Sequence, residues 1–382
     1  MEKVPLVRPE LPESVELESL VWQTRGLLAS GKLTNGDCVR QLERAVERKL
    51  RVRHCVALSS CTSGLMLTMR ALDLEGEVIL PSFTFSATGQ ALLWNGLQPV
   101  FVDCDREKFT IDPAAVRRAI TARTSAILAV HVFGNPAPVA ELAAIAREYN
   151  LRLIFDSAHA FGASANATPV GGFGDAEAFS LSPTKLLVGA EGGLVTTNDD
   201  GLAERLKCGR NYGNGSGYDP AMLGLSARMS EWNAALALRG VSGIESRIAA
   251  RSRIAAIYSE AFAGVPGLNM QSIPFGNHTT WKDFSVVIDP QLFGAARDDV
   301  RSAIEERVDT RTYFDPPLHR QRIFSQFIEH CDLPNTEWIS RNILSLPIHS
   351  TMSEAEVRMV AYAILAVGGH RGIRSARVGL GA

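Results

Sequence analysis

No block of lysine and arginine runs through this 382-residue chain, and its formal charge is only −2, from 39 basic and 41 acidic residues. A surface that follows a nucleic-acid backbone needs such a block, so a nucleic-acid partner is not expected. No apolar run approaches the ~20 residues of a membrane span. The opening stretch, Met1 to Glu13, is polar and punctuated by proline, without the apolar centre of a secretion signal. The six cysteines (Cys38, Cys55, Cys61, Cys104, Cys208 and Cys331) are scattered, and no two form a Cys-x-x-Cys pair. This disfavours a disulfide scaffold or a zinc site and suits a reduced, cytoplasmic protein. Two catalytic signatures are missing as well. Ser182-x-x-Lys185 matches one of the three penicillin-binding signatures, but neither Ser-Asp-Asn nor Lys-Thr-Gly follows it. The glycine-rich run Gly213-Asn214-Gly215-Ser216-Gly217 has the wrong spacing for a dinucleotide-binding turn and follows no strand.

What is present is ordinary globular material, 46% hydrophobic and 21% charged, in a length that suits two or three domains. From about His54 to Cys208 apolar segments of strand length alternate with helical patterns, which implies a mostly parallel sheet covered on both faces. Residues 1–35 read as an arm and a helix, 36–262 as a large domain, and 263–382 as a smaller α/β domain, the break falling at Val265-Pro266-Gly267. Helices are expected over Met229 to Arg239 and Ala296 to Arg307, and a strand over Ser125 to Phe133. A glycine- and arginine-rich end, Gly368 to Ala382, reads as frayed.

Three features carry chemistry. Ser60-Cys61-Thr62-Ser63-Gly64 lies between a strand and a helix, where free amides and small hydroxyls make either a phosphate cradle or a plain helix cap. Ile154-Phe155-Asp156-Ser157-Ala158-His159 sets an acid at the carboxyl end of an apolar strand, the ligand-binding edge of an open parallel sheet. A buried carboxylate there needs a cation, which a protonated ring nitrogen or a nearby arginine could supply. Downstream, Ser180-Leu181-Ser182-Pro183-Thr184-Lys185 ends in a lone lysine among small residues. Cradle, acid and lysine, in that order, are the kit for pyridoxal 5'-phosphate.

The chain resembles the DegT/DnrJ/StrS family of nucleotide-sugar aminotransferases from about Gly31 to about Leu365. The resemblance rests on Ser59 to Leu65, Pro81-Ser82-Phe83-Thr84-Phe85, Phe101-Val102-Asp103, Val130 to Gly134, Asp156 to Ala160, Phe179-Ser180 with Pro183-Thr184-Lys185, Glu191-Gly192-Gly193, and Arg228-Met229-Ser230-Glu231. It implies the aspartate-aminotransferase fold (type I), with a mostly parallel large domain and a smaller C-terminal α/β domain. It implies that Lys185 binds the coenzyme covalently and that Asp156 holds its ring nitrogen. Cys61, Thr62 and Ser180 would then hold the phosphate, Phe85 would stack on the ring, and His159 would sit against the ring or its 3-hydroxyl. Ser226 stands where the family usually has an asparagine that reaches the neighbouring subunit's phosphate, so this shorter side chain departs from the pattern. Tyr212, Tyr313 and His319 are substrate candidates. The stretch Tyr313 to His319 is equally a rigid, proline-set turn, and His131 is as readily a core histidine as a substrate contact.

The resemblance further implies a homodimer with shared sites that moves an amino group from glutamate to a keto sugar on a nucleotide, the coenzyme passing through its pyridoxamine form. The expected acceptor is dTDP-4-keto-6-deoxyhexose, giving the 4-amino sugar. The alternatives are a 3-keto sugar nucleotide or a keto-inositol as acceptor, or a dehydratase or regulator on the same fold. Because the Schiff-base position is lysine and not histidine, transamination is favoured over dehydration.

Overall fold

Short buried strands alternating with capped helices build most of the molecule, described in a computed structural model over residues 3–9, 14–215, 217–328 and 332–369. Of the frayed end expected over Gly368 to Ala382, the part from residue 370 onward lies outside the described residues. The elements in chain order are α1 (Ser14–Ser30), α2 (Asp37–Leu50), β1 (His54–Leu58), α3 (Cys61–Ala71), β2 (Glu77–Pro81), α4 (Ser86–Leu93), β3 (Gln98–Val102), α5 (Pro113–Ala119), β4 (Thr124–Val130), α6 (Val139–Tyr149) and β5 (Arg152–Asp156). A two-residue hairpin follows, β6 (Ser164–Ala165) and β7 (Thr168–Pro169), then β8 (Ala176–Ser180), β9 (Gly193–Thr197), α7 (Asp200–Gly209), α8 (Glu231–Gly240) and α9 (Ile244–Phe262). The remainder is β10 (Leu268–Met270), β11 (Phe284–Ile288), α10 (Pro290–Phe293), α11 (Arg297–Ile304), α12 (Pro334–Asn342), β12 (Ile343–Leu346) and α13 (Glu354–Val367).

The large sheet has the strand order β1-β9-β8-β5-β4-β2-β3. Six strands run one way and β9 runs against them, antiparallel to both β1 and β8. Alternation across the pleat explains why these strands read as unbroken apolar runs. Val78, Leu80, Leu128 and Ile154 enter the core on one face with Leu65 of α3. Ile79, Ile127 and Phe155 enter the core on the other with Val116 and Leu142. The second sheet, β10-β11-β12, is antiparallel. Its core takes Ile254, Tyr258 and Phe262 from α9, and Val4 from the start of the chain, which bridges Val308.

Local sequence sets the helix ends. Ser60 caps α3 and exchanges hydrogen bonds with Ser63, while Asp112 caps α5 ahead of Pro113. The N-terminus of α2 is capped from afar. The buried Glu231 carboxylate accepts from the backbone N–H groups of Gly36, Cys38 and Val39 at 2.7, 2.8 and 3.1 Å, which gives the Arg-Met-Ser-Glu stretch a structural task.

Some expected boundaries shift. The strand reaching Phe133 stops at Val130, because Phe133 has φ 58° and closes a single tight turn after His131. The helix expected from Met229 begins at Glu231, since Ser230 is its cap, and the one expected over Ala296 to Arg307 spans Arg297–Ile304. The three-residue strand β10 and the proline-led α12 had no periodic signal to announce them.

Candidate active site

The carboxyl edge of the large sheet is where the candidate residues meet. Strands β1, β2, β5 and β8 end there, at Leu58, Pro81, Asp156 and Ser180, and antiparallel β9 starts there at Gly193. One cavity of about 370 Å³ opens on this edge. Its walls include Cys61, Thr62, Phe85, Asp156, His159, Ser180, Lys185 and Tyr313. Eight of the residues singled out from sequence are thus brought together.

Cys61 and Thr62 are the first two residues of α3, and Ser63 already donates to the Ser60 cap. Helix geometry gives the two leading N–H groups no acceptor within the helix, and the helix dipole adds positive character there. The cradle depends on Gly193. A Cβ at that position would lie 2.3 Å from the Cys61 nitrogen, so only glycine lets β9 pass directly beneath the helix end. The Cys61 thiol is buried, and burial with the Asp156 charge pushes its pKa well up, which keeps it protonated.

Asp156 is buried. Its Oδ2 accepts from Thr88 Oγ1 at 2.7 Å and its Oδ1 from the Ala158 N–H at 3.1 Å. Burial raises its pKa, opposed by these two donors and by the charges of Lys185 and His131. Each oxygen keeps a lone pair for a further donor. A cation binding in this cavity would meet a desolvated carboxylate held in place from two sides.

His159 packs beside two aromatic rings that also touch each other, with Phe133 at 6.3 Å and Phe314 at 6.4 Å between centroids. The Phe133 N–H donates to its Nδ1 at 3.2 Å. Burial, then Lys185 and Lys282, hold its pKa well below the ordinary histidine value. The imidazole is therefore neutral with its hydrogen on Nε2, a donor for the cavity.

Lys185 follows the turn Ser182-Pro183-Thr184 and donates its N–H to the Ser182 carbonyl at 3.0 Å. The loop that carries it closes through Leu181 to Gly192 (2.9 Å) and Gly189 to Leu181 (2.8 Å). Burial and the nearby charge of Lys282 bring its pKa down to about 8. A usable fraction of free amine then exists near neutral pH, which nucleophilic attack on a carbonyl requires. Lys282 lines the same cavity but pairs with Asp283 at 2.7 Å.

Residues 17–365 match the description of the DegT/DnrJ/EryC1/StrS aminotransferase family. The chain belongs to that family. It is 36% identical over 334 residues to a UDP-N-acetyl-3-dehydro-alpha-D-glucosamine 3-aminotransferase of Acidithiobacillus ferrooxidans, covering 86% of this chain and 88% of that one. Among solved structures it is similar to DesI crystallised with its TDP-sugar product, at 36% identity and a TM-score of 0.90, covering 99% of this chain and 96% of that one. It is also similar to S. venezuelae DesV in complex with a ketimine intermediate, at 30% identity and a TM-score of 0.88, covering 96% and 99%.

The chain is thus a fold-type-I aminotransferase of the nucleotide-sugar class, and enzymes of this family use pyridoxal 5'-phosphate. The residues present fit that coenzyme. A cradle that a Cβ would fill, a buried carboxylate with free lone pairs and an amine titrating near 8 converge on one cavity.

Other candidates lie elsewhere. His131 is a core histidine. Its Nδ1 accepts from the Ala137 N–H at 2.8 Å, its ring stacks on Phe155 at 4.9 Å, and Nε2 faces the buried Glu177 at 3.3 Å. His319 does not line the cavity. Its Nδ1 lies 2.6 Å from Ser82 Oγ and its Nε2 2.8 Å from Glu337, so both ring nitrogens are engaged within the protein. That pairing fastens the turn after Phe314 to the end of β2. Ser226 and Tyr212 are exposed and absent from this cavity's wall, with the Arg228 guanidinium stacked 4.9 Å over the Tyr212 ring. Sequence reasoning missed Thr88, Asp283 and the placement of Lys282. Thr84 and Thr88, one helical turn apart after β2, were the available signal for the first. An adjacent Lys-Asp pair opening an apolar strand was the signal for the others.

Proposed function

We propose that this enzyme moves an amino group from glutamate to a keto sugar carried on a nucleotide, with a dTDP-linked 4-keto-6-deoxyhexose as acceptor. The observation that supports the assignment of residues is the convergence of Lys185, Asp156 and the α3 N-terminus on one cavity. Lys185 would attach the coenzyme covalently and, once displaced, carry a proton between coenzyme and substrate carbons. Asp156 would keep the ring nitrogen protonated, and the amides of Cys61 and Thr62, with the hydroxyls of Thr62 and Ser180, would hold the phosphate. Phe85, 57% exposed at the mouth, would cover the ring, and His159 would donate from Nε2. Pyridoxal phosphate, when bound, supplies an electron sink for the carbon that loses its proton.

A 3-keto sugar on UDP is the second reading, because the A. ferrooxidans relative is named for that substrate at the same 36% identity as DesI. The working unit would be a homodimer in which the loop around Tyr212 and Ser226 serves the neighbouring subunit. Three large apolar residues of that surface, Tyr212, Tyr218 and Leu223, are exposed in the single chain.

The test has two stages. Glutamate alone should convert the coenzyme to its amine form and release one equivalent of 2-oxoglutarate per site. The amine form should then react with a dTDP-4-keto-6-deoxyhexose and with UDP-3-keto-N-acetylglucosamine at very different rates. Absence of 2-oxoglutarate would refute glutamate as donor, and faster turnover of the UDP sugar would replace the first reading with the second.

A further inference from the structure

Two charged side chains on the cavity wall have no contact with coenzyme or substrate assigned above. Lys282 and Asp283 are each 3% exposed, and Lys282 Nζ lies 2.7 Å from Asp283 Oδ1. Their backbone is fixed from two directions. The Lys282 N–H donates to the Phe133 carbonyl at 3.0 Å, and Arg251 Nη1 donates to the Trp281 and Lys282 carbonyls, both at 3.2 Å. The pair leads directly into β11, the central strand of the second sheet. Tyr313 stands nearby, its phenol pushed up by burial and by the Asp283 charge.

The two carboxylate oxygens of Asp283 are not equivalent. Oδ1 takes the Lys282 ammonium, while Oδ2 is buried and has no hydrogen-bond partner among the described residues. A buried carboxylate oxygen left without a donor bears its full desolvation cost. Both residues line the cavity that holds Lys185. The missing donor is therefore to be sought in what enters that cavity.

We propose that Asp283 is a specificity-determining residue for the acceptor sugar, Oδ2 taking the hydrogen of a ring hydroxyl, with Lys282 holding the carboxylate in position. This rests on the reading of the enzyme as a nucleotide-sugar aminotransferase. The chemistry of the pair distinguishes the two substrates. Glutamate offers two carboxylates, which bring no hydrogen to Oδ2, and an amine committed to the reacting carbon. A sugar offers neutral hydroxyl donors, which suit a charge-balanced pair with one vacant acceptor. A site built to accept a hydroxyl hydrogen also discriminates strongly against a ligand lacking it.

The experiment compares binding to coenzyme-loaded wild type and Asp283→Asn by titration calorimetry. The probes are dTDP-4-amino-4,6-dideoxyglucose and UDP-3-amino-N-acetylglucosamine, with dTDP and UDP as references. Wild type should bind one amino-sugar nucleotide more tightly than its bare nucleotide. Asp283→Asn should bind that ligand at least about tenfold more weakly, with the bare nucleotide changed less than about twofold. If wild type prefers neither sugar nucleotide over its nucleotide, the reading of the enzyme fails and the inference falls with it. If wild type discriminates and Asp283→Asn binds as wild type does, or loses sugar and bare nucleotide alike, the inference is overturned while the reading stands. Should Asp283→Asn not fold, the preferred ligand deoxygenated at each ring hydroxyl in turn is titrated into wild type. One such analogue must lose about the same tenfold, and none doing so overturns the inference.

Discussion

Thr88 Oγ1 stands 2.7 Å from Asp156 Oδ2, and Thr84 Oγ1 lies 3.0 Å from Thr88 Oγ1. The carboxylate at the end of β5 is thus held by the helix that follows β2, two strands away in the sheet. Position and charge of Asp156 are coupled through this bond. The Thr88 hydrogen bond lowers the Asp156 pKa against the rise caused by burial, so removing it favours the protonated acid. Thr88→Val should therefore weaken coenzyme binding and slow turnover, each by about tenfold, the scale of a hydrogen bond to a charged group. Thr88→Ser should restore most of both. Equilibrium dialysis with pyridoxal phosphate and steady-state rates measure the two effects, and a Val variant indistinguishable from wild type would remove Thr88 from the site.

Asp156→Asn should keep the coenzyme bound, because the cradle is intact, yet reduce turnover by at least about a hundredfold, as when an electrostatic partner of developing charge is lost. A near-normal rate would mean that some other group fixes the ring nitrogen.

Two lysines line the cavity, and their surroundings separate them. Lys185, brought to about 8, is the proposed nucleophile, while Lys282 Nζ is paired with Asp283 at 2.7 Å. Borohydride reduction of the yellow holoenzyme should label the peptide containing Lys185, and Lys185→Ala should abolish turnover. Label on Lys282 would reverse the assignment. A pH series adds a second reading. Coenzyme incorporation into apoenzyme should speed up as pH rises through about 8, as the free amine forms. In Lys282→Met the neighbouring positive charge is gone and the freed Asp283 charge favours the Lys185 ammonium. Both changes raise the Lys185 pKa, so the midpoint must move to higher pH. A midpoint that stays or falls contradicts the electrostatic account.

Much of this site was legible because its parts sit at strand ends, where sequence and topology coincide. Asp156, Ser180 and the Ser60-to-Gly64 turn each end an apolar run or follow one directly, and a parallel sheet gathers such ends on one edge. Lys282 and Asp283 were not legible. They come from the second sheet, more than a hundred residues after Asp156, and nothing local says which edge of which sheet they face. His131 and His319 were ambiguous for the opposite reason. Both follow plausible strand or turn signals, and only their partners, Ala137 and Glu177 for one, Ser82 and Glu337 for the other, show that they serve packing. The caps of α3 and α5 were readable from adjacent residues, whereas the cap of α2 is Glu231, nearly two hundred residues away.

Gly193→Ala tests the cradle without touching a reactive group. The added Cβ would meet the Cys61 nitrogen and the Ser60 carbonyl carbon at 2.3 Å, backbone atoms that cannot turn aside. Strand and helix end must separate, at a cost of about 1–3 kcal/mol in stability. Coenzyme affinity should fall by about tenfold or more as the amides lose their aim. Thermal melts of apoenzyme and dialysis with pyridoxal phosphate read the two separately. A variant that melts lower but binds normally would show that the phosphate is held elsewhere.

The loop from Gly209 to Arg228 is where the proposed assembly can be tested. Tyr212 and Ser226 are exposed and are not among the residues lining their own chain's cavity, although both fall in a region that reaches the partner's site in the family the chain resembles. If the enzyme is a dimer with shared sites, its interface should be obligate in kind, on the order of 2,000 Å² or more in total. Function then becomes separable by mixing. Lys185→Ala subunits lack the reactive amine but keep the loop. Subunits with Tyr212→Ala and Ser226→Ala keep the amine but lack the loop's contribution. Each homodimer should be folded and nearly inactive, while refolded mixtures should contain heterodimers with one complete site and regain activity toward a quarter of the wild-type level, half the dimers carrying one of two sites. Heterodimers shown by native mass spectrometry to form without regaining activity would mean that the loop serves its own subunit. Full activity in the doubly substituted loop variant alone would mean that it serves neither.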